Sequence, residues 1–422
     1  MNKHRLIIQI PVWLIRIAVG ATFVMSGFVK AIDIWGSLYK FGEYFQALSF
    51  PISDSLLLFF TFVLCGFEFV LGVCILTGSY RKASPIGALC FMCVMLPLTL
   101  WIALSDPVKD CGCFGDFWII SNWATFWKNV VLTILIVCLI KYNRKAKALV
   151  TPALQWLELV ISSAYIIIIA LYGFFDQPLL DFRDYKIGST LYQSSEEDPD
   201  DADTDIRFIY QKAGKEQEFG IDEIPDEEDG WIYVRRIEET APLKDTSHTF
   251  RVWDQSGLLD KSEELFEGND NLLLLMIPDI TKVSPSTTWK INTLHDAALN
   301  SGIDMDAVVN ADGQAIDDWK DLSMAQYKIY TADDTSIKEV VRGNPAIVYI
   351  ENGKIKYKST LASLNADEII KNGELDTKAL EFKGETILRN YTAIYLICLI
   401  VLIMLSFMPM MFSYRRNKLS RK

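Results

Sequence analysis

Two thiols separated by one glycine, Cys111-Gly112-Cys113, stand in the run Asp110-Cys-Gly-Cys-Phe-Gly-Asp116 between two apolar segments. Every other cysteine (Cys65, Cys74, Cys90, Cys93, Cys138 and Cys398) lies inside an apolar stretch long enough to span a bilayer. A disulfide across one glycine closes a small ring, and glycine supplies the backbone freedom that so tight a loop demands. Such a ring is strained, and strained, exposed disulfides are the exchange-competent kind. Cys111 and Cys113 are therefore the expected catalytic pair, cycling between dithiol and disulfide. The thiolate is the attacking species, so Lys109 assists while Asp110 and Asp116 oppose it. The bland alternative, that the pair merely staples a turn, is disfavoured because so small a ring removes little entropy from the unfolded chain.

Two further groups inside apolar segments carry chemistry. Cys90-x-x-Cys93 has the spacing of a redox motif but sits within a predicted helix, where free cysteine serves as a small hydrophobe. An intramembrane relay to Cys113 would cross about eleven residues, roughly 16 Å at the helical rise, and needs a bend at Pro97. Arg16 and Glu68 are charges in the first and second apolar segments, costly to bury unpaired and functional candidates by default. Counted from the inner ends they share a depth, which predicts an Arg16 to Glu68 ion pair. Its two readings are a structural pin between helices and a proton or substrate pathway. Gly20, Gly27, Gly66, Gly72 and Gly78 fall where small residues let helices approach closely.

Elements able to position these residues follow from hydropathy. Apolar runs near residues 8 to 31, 55 to 77, 84 to 104, 123 to 140, 153 to 174 and 391 to 413 reach spanning length. Six transmembrane helices are expected. The first follows a short basic segment (Lys3, His4, Arg5) without a small-residue cleavage site, and so reads as an uncleaved anchor. Arg81 and Lys82, then Lys141, Arg144, Lys145 and Lys147, then the basic tail from Arg415, mark the cytoplasmic ends. Both termini are then cytoplasmic, and residues 176–389 are periplasmic. Tryptophans agree: Trp35, Trp101, Trp118 and Trp123 fall near the outer boundary, Trp13 and Trp156 near the inner one. Residues 176–389 carry 23 basic and 45 acidic side chains and no cysteine. So acidic a domain argues against nucleic-acid partners. Only His4, His248 and His295 are present, so a histidine-rich metal site is not expected.

Arg16-x3-Gly20, Ser26-Gly27-x2-Lys30, Glu68-x3-Gly72-x5-Gly78 and the Cys-Gly-Cys-Phe-Gly loop after the third helix together resemble the MauE branch of the DoxX-like membrane proteins. The resemblance covers about residues 8 to 141. It implies a four-helix membrane bundle associated with periplasmic thiol redox, MauE being tied to disulfide formation during methylamine dehydrogenase maturation. Nothing in this chain points to methylamine itself. No bound cofactor is expected. If the cysteine pair is reoxidised, a quinone or another membrane redox partner must take the electrons.

Beyond the fifth apolar segment, an acidic stretch from Gln193 to Asp205 reads as a loop. Ile206 to Tyr210, Trp231 to Ile237 and Thr249 to Trp253 read as strands of a small β-rich module. Strand-like runs at Leu272 to Ile277, Met305 to Asn310, Tyr327 to Thr331 and Ile347 to Ile350 follow. A helical run at Thr287 to Asn300 and an Asn352-Gly353 hairpin into Lys354 to Lys358 accompany them, an α/β pattern. This region resembles a thioredoxin fold. In that resemblance Ser284-Pro285-Ser286-Thr287 occupies the place of the Cys-Pro-x-Cys site, and Pro345 that of the cis-proline. Ser284 and Thr287 cannot exchange disulfides. Together with Pro345 they remain candidates for docking an extended peptide.

The expected layout is a four-helix DoxX/MauE-like membrane domain (1–147), a fifth transmembrane helix (148–175), and a linker with the β-rich module (176–255). A thioredoxin-like domain lacking Cys-x-x-Cys (256–375), a linker (376–390), a sixth transmembrane helix (391–414) and a basic tail (415–422) complete it. The expected function is a bacterial inner-membrane protein passing oxidising or reducing equivalents through Cys111 and Cys113. Its partners would be extracytoplasmic clients or a thioredoxin-like protein. The rival is a non-enzymatic envelope assembly or client-binding factor with a structural Cys-Gly-Cys loop. A transporter using Arg16 and Glu68 is disfavoured, since no inverted repeat is evident.

Overall fold

The computed structural model describes residues 3–106, 108, 112, 114–192, 205–212, 215–219, 232–239, 249–267 and 269–419. Lys109, Asp110, Cys111, Cys113, His248 and most of the acidic stretch from Gln193 lie outside the described residues. The membrane unit comprises α1 (Lys3–Ile32), α2 (Ile34–Ala47), α3 (Asp54–Thr77), α4 (Ala83–Ser105), α5 (Asn122–Tyr142) and α6 (Gln155–Phe175). Helix α12 (Gly384–Leu419) completes it. Among the described residues six stretches are long and apolar enough to cross a membrane: Gln9–Ile32, Asp54–Thr77, Ala83–Ser105, Asn122–Lys145, Gln155–Phe175 and Gly384–Met408. The short amphipathic α2 was not anticipated. It starts where Asp33 caps it, accepting a hydrogen bond from the Gly36 amide at 2.9 Å.

Glycine sets the register of the α1–α3 pair. A Cβ on Gly20 would stand 2.9 Å from the Gly72 carbonyl, and one on Gly27 would stand 2.5 Å from the Phe69 amide nitrogen. Backbone meets backbone at both places, so neither neighbour can yield by turning a side chain. Gly27→Ala is therefore expected to cost about 1–3 kcal/mol through overpacking. Gly66→Ala, whose new methyl would find its nearest neighbour at 3.9 Å, should be neutral or slightly stabilising. Thermal unfolding of the two variants in detergent tests this; equal midpoints would refute it.

Two apolar clusters build on that pair. Val19, Phe23 and Ile75 pack with Met92, Leu132 and Ile136 of α4 and α5. On the other side Ile32 and Phe69 pack with Ile166, Tyr165 and Tyr395 of α6 and α12. Tyr165 and Tyr395 stack at 4.3 Å, and their hydroxyls bond across the α6–α12 seam to Thr392 at 2.8 Å and Ser162 at 3.1 Å.

The C-terminal region is mixed α/β. Strands β1 (Asp205–Lys212), β2 (Lys215–Phe219) and β3 (Ile232–Glu239) form an antiparallel sheet in the order β2-β1-β3. A second sheet contains β4 (Asn271–Ile277), β5 (Asp304–Val309), β6 (Ile329–Thr331), β7 (Ala346–Glu351) and β8 (Lys354–Thr360), in the order β6-β5-β4-β7-β8. Strands β4, β5 and β6 are mutually parallel, while β7 and β8 run antiparallel. Side chains alternate across β4. Leu273, Leu275 and Ile277 face α8 (Thr288–Asn300) and α9 (Gly313–Ser323). Leu272, Leu274 and Met276 face α7 (Ser262–Phe266), α10 (Asp334–Val340) and the segment around Tyr185 and Leu191. Burial on both faces explains why this strand reads as an unbroken apolar run. A short α11 (Ala366–Ile369) and the pair β9 (Ile370–Lys371) and β10 (Glu374–Leu375) close the domain.

The strand expected at Thr249 to Trp253 does not form. Trp253 makes one bridge to Thr331 on the edge of β6, through backbone bonds of 2.8 and 2.9 Å, before Asp254 turns the chain by accepting from the Leu258 and Leu259 amides. The chain leaving α6 is clamped to β8: Asp181 holds Arg183 at 2.7 Å and the buried Lys358 at 2.6 Å. Burial raises the Asp181 carboxyl, but the two cations outweigh it and hold the group well below the carboxylate range. Burial and then the charge of Arg183 bring Lys358 down to about 7 against the pull of Asp181.

Candidate functional site

Successive turns of α1 place Thr22, Ser26 and Lys30 on one face, four residues apart, where such side chains are neighbours. Opposite them α3 presents Glu68. Lys30 Nζ lies 2.8 Å from both Glu68 carboxylate oxygens. Ser26 Oγ joins the pair, donating to Glu68 Oε2 at 2.8 Å and accepting from Lys30 Nζ at 3.0 Å. The lysine and glutamate side chains are only 3% and 2% exposed. This cluster forms part of the wall of a small cleft, open along one side, with a cavity volume of about 30 Å³. Phe91, Met92 and Met95 of α4, Phe114, and Lys128, Asn129 and Leu132 of α5 also line it.

The expected Arg16 to Glu68 pair is not formed. Arg16 lies beside Gly78, nearly at the far end of α3 from Asp54, whereas Gly27 lies against Cys65 and Phe69 and so brings Glu68 level with Ser26 and Lys30. About ten residues of α1 separate the two levels, roughly 15 Å of helix. Arg16 instead caps the chain end beyond α5. Its Nε donates to Asn143 Oδ1 at 2.7 Å, Nη1 to the Lys147 carbonyl at 2.7 Å, and Nη2 to the Asn143 carbonyl at 2.9 Å. That arrangement is a structural staple. Lys30, the partner that sequence reasoning missed, was legible as a further charge in the first apolar run, four residues beyond Ser26.

Phe114 is the part of the described loop that lines the cleft. Phe114, the residue after Cys113 in the chain, stacks on Trp118 at 5.9 Å and receives Lys128 Nζ over its ring at 4.4 Å. Gly112, between the two cysteines, has φ +56, and a Cβ there would meet Lys40 Cγ of α2 at 3.2 Å. Its carbonyl accepts from the Gly115 amide at 3.1 Å, closing a turn. Only glycine combines that backbone with that close neighbour at no cost. Cys90 and Cys93 are free thiols exposed on α4, not packed among the helices, and Cys65 and Cys74 are buried.

The α/β domain reaches the same loop. Arg342, between α10 and β7, donates from Nε and Nη2 to the Asp33 carboxylate at 2.9 and 2.8 Å and lies 3.7 Å from Asp116 Oδ2. Its guanidinium also covers the Tyr39 ring at 5.5 Å. Burial raises the Asp33 carboxyl, but the charge and hydrogen bonds of Arg342, then Arg183 and the Gly36 amide, prevail and hold it below its ordinary range. Burial likewise pushes the Tyr39 phenol up to about 12.

Ser284 is exposed and pairs with Ser286 Oγ at 2.8 Å, while Thr287 Oγ1 donates to the Ser284 carbonyl at 2.7 Å. The loop containing them is drawn to the buried Pro345 by Asn344 Nδ2, which donates to the Asp279 carbonyl at 2.6 Å; the Asn344–Pro345 peptide is cis. Lys282 of that loop lies 3.9 Å from Asp54 at the start of α3. This edge of the domain is thus turned towards the membrane unit.

Residues 8–142 match the family of the methylamine utilisation protein MauE. The matched MauE segment runs from α1 to the last residue of α5. It holds both sides of the cleft and the Cys-Gly-Cys loop. The protein is therefore a membrane protein with a MauE-like segment, six helices able to span a bilayer and a C-terminal mixed α/β region. Residues 204–240 match a domain of unknown function, DUF8463. No curated protein and no solved structure matched the chain.

Proposed function

We propose that this is an inner-membrane thiol-redox protein in which Cys111 and Cys113 pass oxidising or reducing equivalents to extracytoplasmic proteins or to a thioredoxin-like partner. One observation carries the reading: Gly112 and Phe114, which flank the cysteines in the chain, lie against Lys40 and against a cleft containing a buried ion pair. Intramembrane ionisable groups beside a cavity are functional candidates. The lysine and arginine distribution supports a periplasmic position for the loop and for residues 176–389. The strand order of the second sheet, and the pairing of the Ser284 loop with Asn344–Pro345, support a thioredoxin-like ancestry for the α/β domain. Without sulfur at Ser284 or Thr287 that domain serves to hold a partner against the loop, not to exchange with it.

Labelling with a membrane-impermeant maleimide should modify Cys111 and Cys113 only after reduction, and Cys111→Ser or Cys113→Ser should trap a mixed disulfide with a client. Cysteines unreactive under both conditions, and no adduct from either variant, would transfer support to the rival assembly factor, which the cysteine-free α/β domain on the loop would also suit.

A further inference from the structure

We propose that the end of the membrane unit formed by the α3–α4 and α5–α6 connections binds anionic phospholipid, with a headgroup phosphate seated at Lys141 and Lys145. The proposal is independent of the thiol chemistry. Six cations stand at this end: Arg81 and Lys82 between α3 and α4, then Lys141, Arg144, Lys145 and Lys147 from the last turn of α5 onward. Arg81 is half-buried and the other five are exposed. Among the described residues none of the six pairs with a carboxylate, and the distribution of acids explains why. Asp33, Glu43, Asp54, Asp106 and Asp116 belong to the opposite end of the helices, and Glu68 to the interior. Glu158 alone lies at this end, 1% exposed and bonded to Ser79 Oγ. Residues 401–422 add no acid. The protein leaves this charge uncompensated.

A mobile basic connection would do no more than set orientation, but these two are held in place. The buried Arg16 donates to the carbonyls of Lys147, Asn143 and Ala146, closing the α5–α6 connection on itself. Asn143 Nδ2 then donates to the Arg81 carbonyl at 3.0 Å, and the Leu149 amide to the Thr77 carbonyl at 2.8 Å. Both connections are thereby fixed side by side. Within that frame Lys141 and Lys145, one helical turn apart, bring Nζ over the Tyr142 ring, at 5.4 and 4.8 Å from its centre. One ring thus gathers two ammonium groups, and phosphodiester oxygens supply the charged acceptors that the protein does not. Apolar surface adjoins them. Val137 and Ile140, 51% and 39% exposed, precede Lys141 on α5; Ile10 and Leu14, 57% and 62% exposed, follow Gln9 on α1, which donates to the Lys145 carbonyl at 3.4 Å. Trp156, 59% exposed at the start of α6, stands where an interfacial ring belongs. A phosphate joined to acyl chains satisfies both the cations and the apolar helix faces, whereas a soluble polyanion satisfies only the first.

The test offers the full-length protein in detergent equal amounts of phosphatidylglycerol and phosphatidylcholine of distinguishable mass, and reads the retained lipid by native mass spectrometry. The parent should retain phosphatidylglycerol about tenfold over phosphatidylcholine, and Lys141→Gln with Lys145→Gln should abolish the preference. Lys141→Arg with Lys145→Arg should keep it. So should Lys354→Gln with Lys378→Gln, which removes the same charge from exposed positions of the α/β domain. In nanodiscs, phosphatidylglycerol should raise the thermal midpoint of the parent but not of the Lys141 and Lys145 glutamine variant, whose unchanged midpoint in phosphatidylcholine alone shows that it folds. Equal retention of the two lipids by the parent, or a glutamine variant that keeps the parent's preference, overturns the site. An equal loss in the Lys354 and Lys378 variant would reduce the effect to net charge and overturn it too. Displacement of the lipid by excess inorganic phosphate would assign the cations to a soluble phosphate compound and refute the lipid.

Discussion

Replacing Glu68 by leucine should destabilise the protein by about 3–5 kcal/mol, the usual cost of stranding one member of a buried ion pair. Lys30 would then keep its charge without the Glu68 carboxylate that neutralises it, in a side chain only 3% exposed. Lys30→Met alone should cost a similar amount, because it leaves the Glu68 carboxylate with one hydroxyl donor. Together the two substitutions should recover most of the loss, since replacing a whole buried pair by apolar groups is often neutral or stabilising. Strong non-additivity is the signature of direct contact. Arg16→Met combined with Glu68→Leu should by contrast be additive, because Arg16 spends its donors on Asn143, Ala146 and Lys147. Folded yield and unfolding midpoints in detergent measure these four variants and Arg16→Met alone. Additive losses for Lys30 and Glu68 would contradict the pairing.

Arg342→Met should release the α/β domain from the membrane unit. The substitution strands the Asp33 carboxylate, whose side chain is 19% exposed, and removes the contact to Asp116 beside the cysteine loop. A loss of about 3–5 kcal/mol in docking is expected for breaking such a buried pair. Asp33→Asn should cost less, as an amide oxygen still accepts from the Gly36 amide. Faster proteolysis of the chain between α6 and β8 reports the release. The pH dependence has a fixed sign: the folded Asp33 pKa is depressed. Its contribution is complete above the unfolded value of about 3.9 and is lost as pH falls through the lower folded value. Parent protein should therefore stay closed through neutral and mildly acidic pH and open only below the ordinary carboxylate range. Opening already near pH 6 would refute this account.

Local pattern made much of the architecture legible. Continuous apolar runs announced the six spanning helices because a bilayer requires about twenty apolar residues in a row. The unbroken Leu272–Ile277 run and the Asn352-Gly353 turn announced β4 and the β7–β8 hairpin, since a strand buried on both faces and a turn needing positive φ each restrict residue choice. Helix α2 escaped because its fourteen residues mix glycine, polar and aromatic groups. The Thr249 to Trp253 strand was overread because alternation shows that a segment can pair, not that a partner edge is long enough to receive it.

By itself, then, the sequence determined which segments cross the bilayer, where thiols are concentrated, and that Arg16, Lys30 and Glu68 must each find compensation inside apolar helices. Which charge meets which was decided by the tertiary structure. Gly20, Gly27 and Gly72 fix how far α1 slides along α3, and one helical turn of slippage, about 5.4 Å, changes every partner. The meeting of Arg342 with Asp33, more than three hundred positions apart in the chain, likewise follows from the docking of two folded units, which no local spacing encodes.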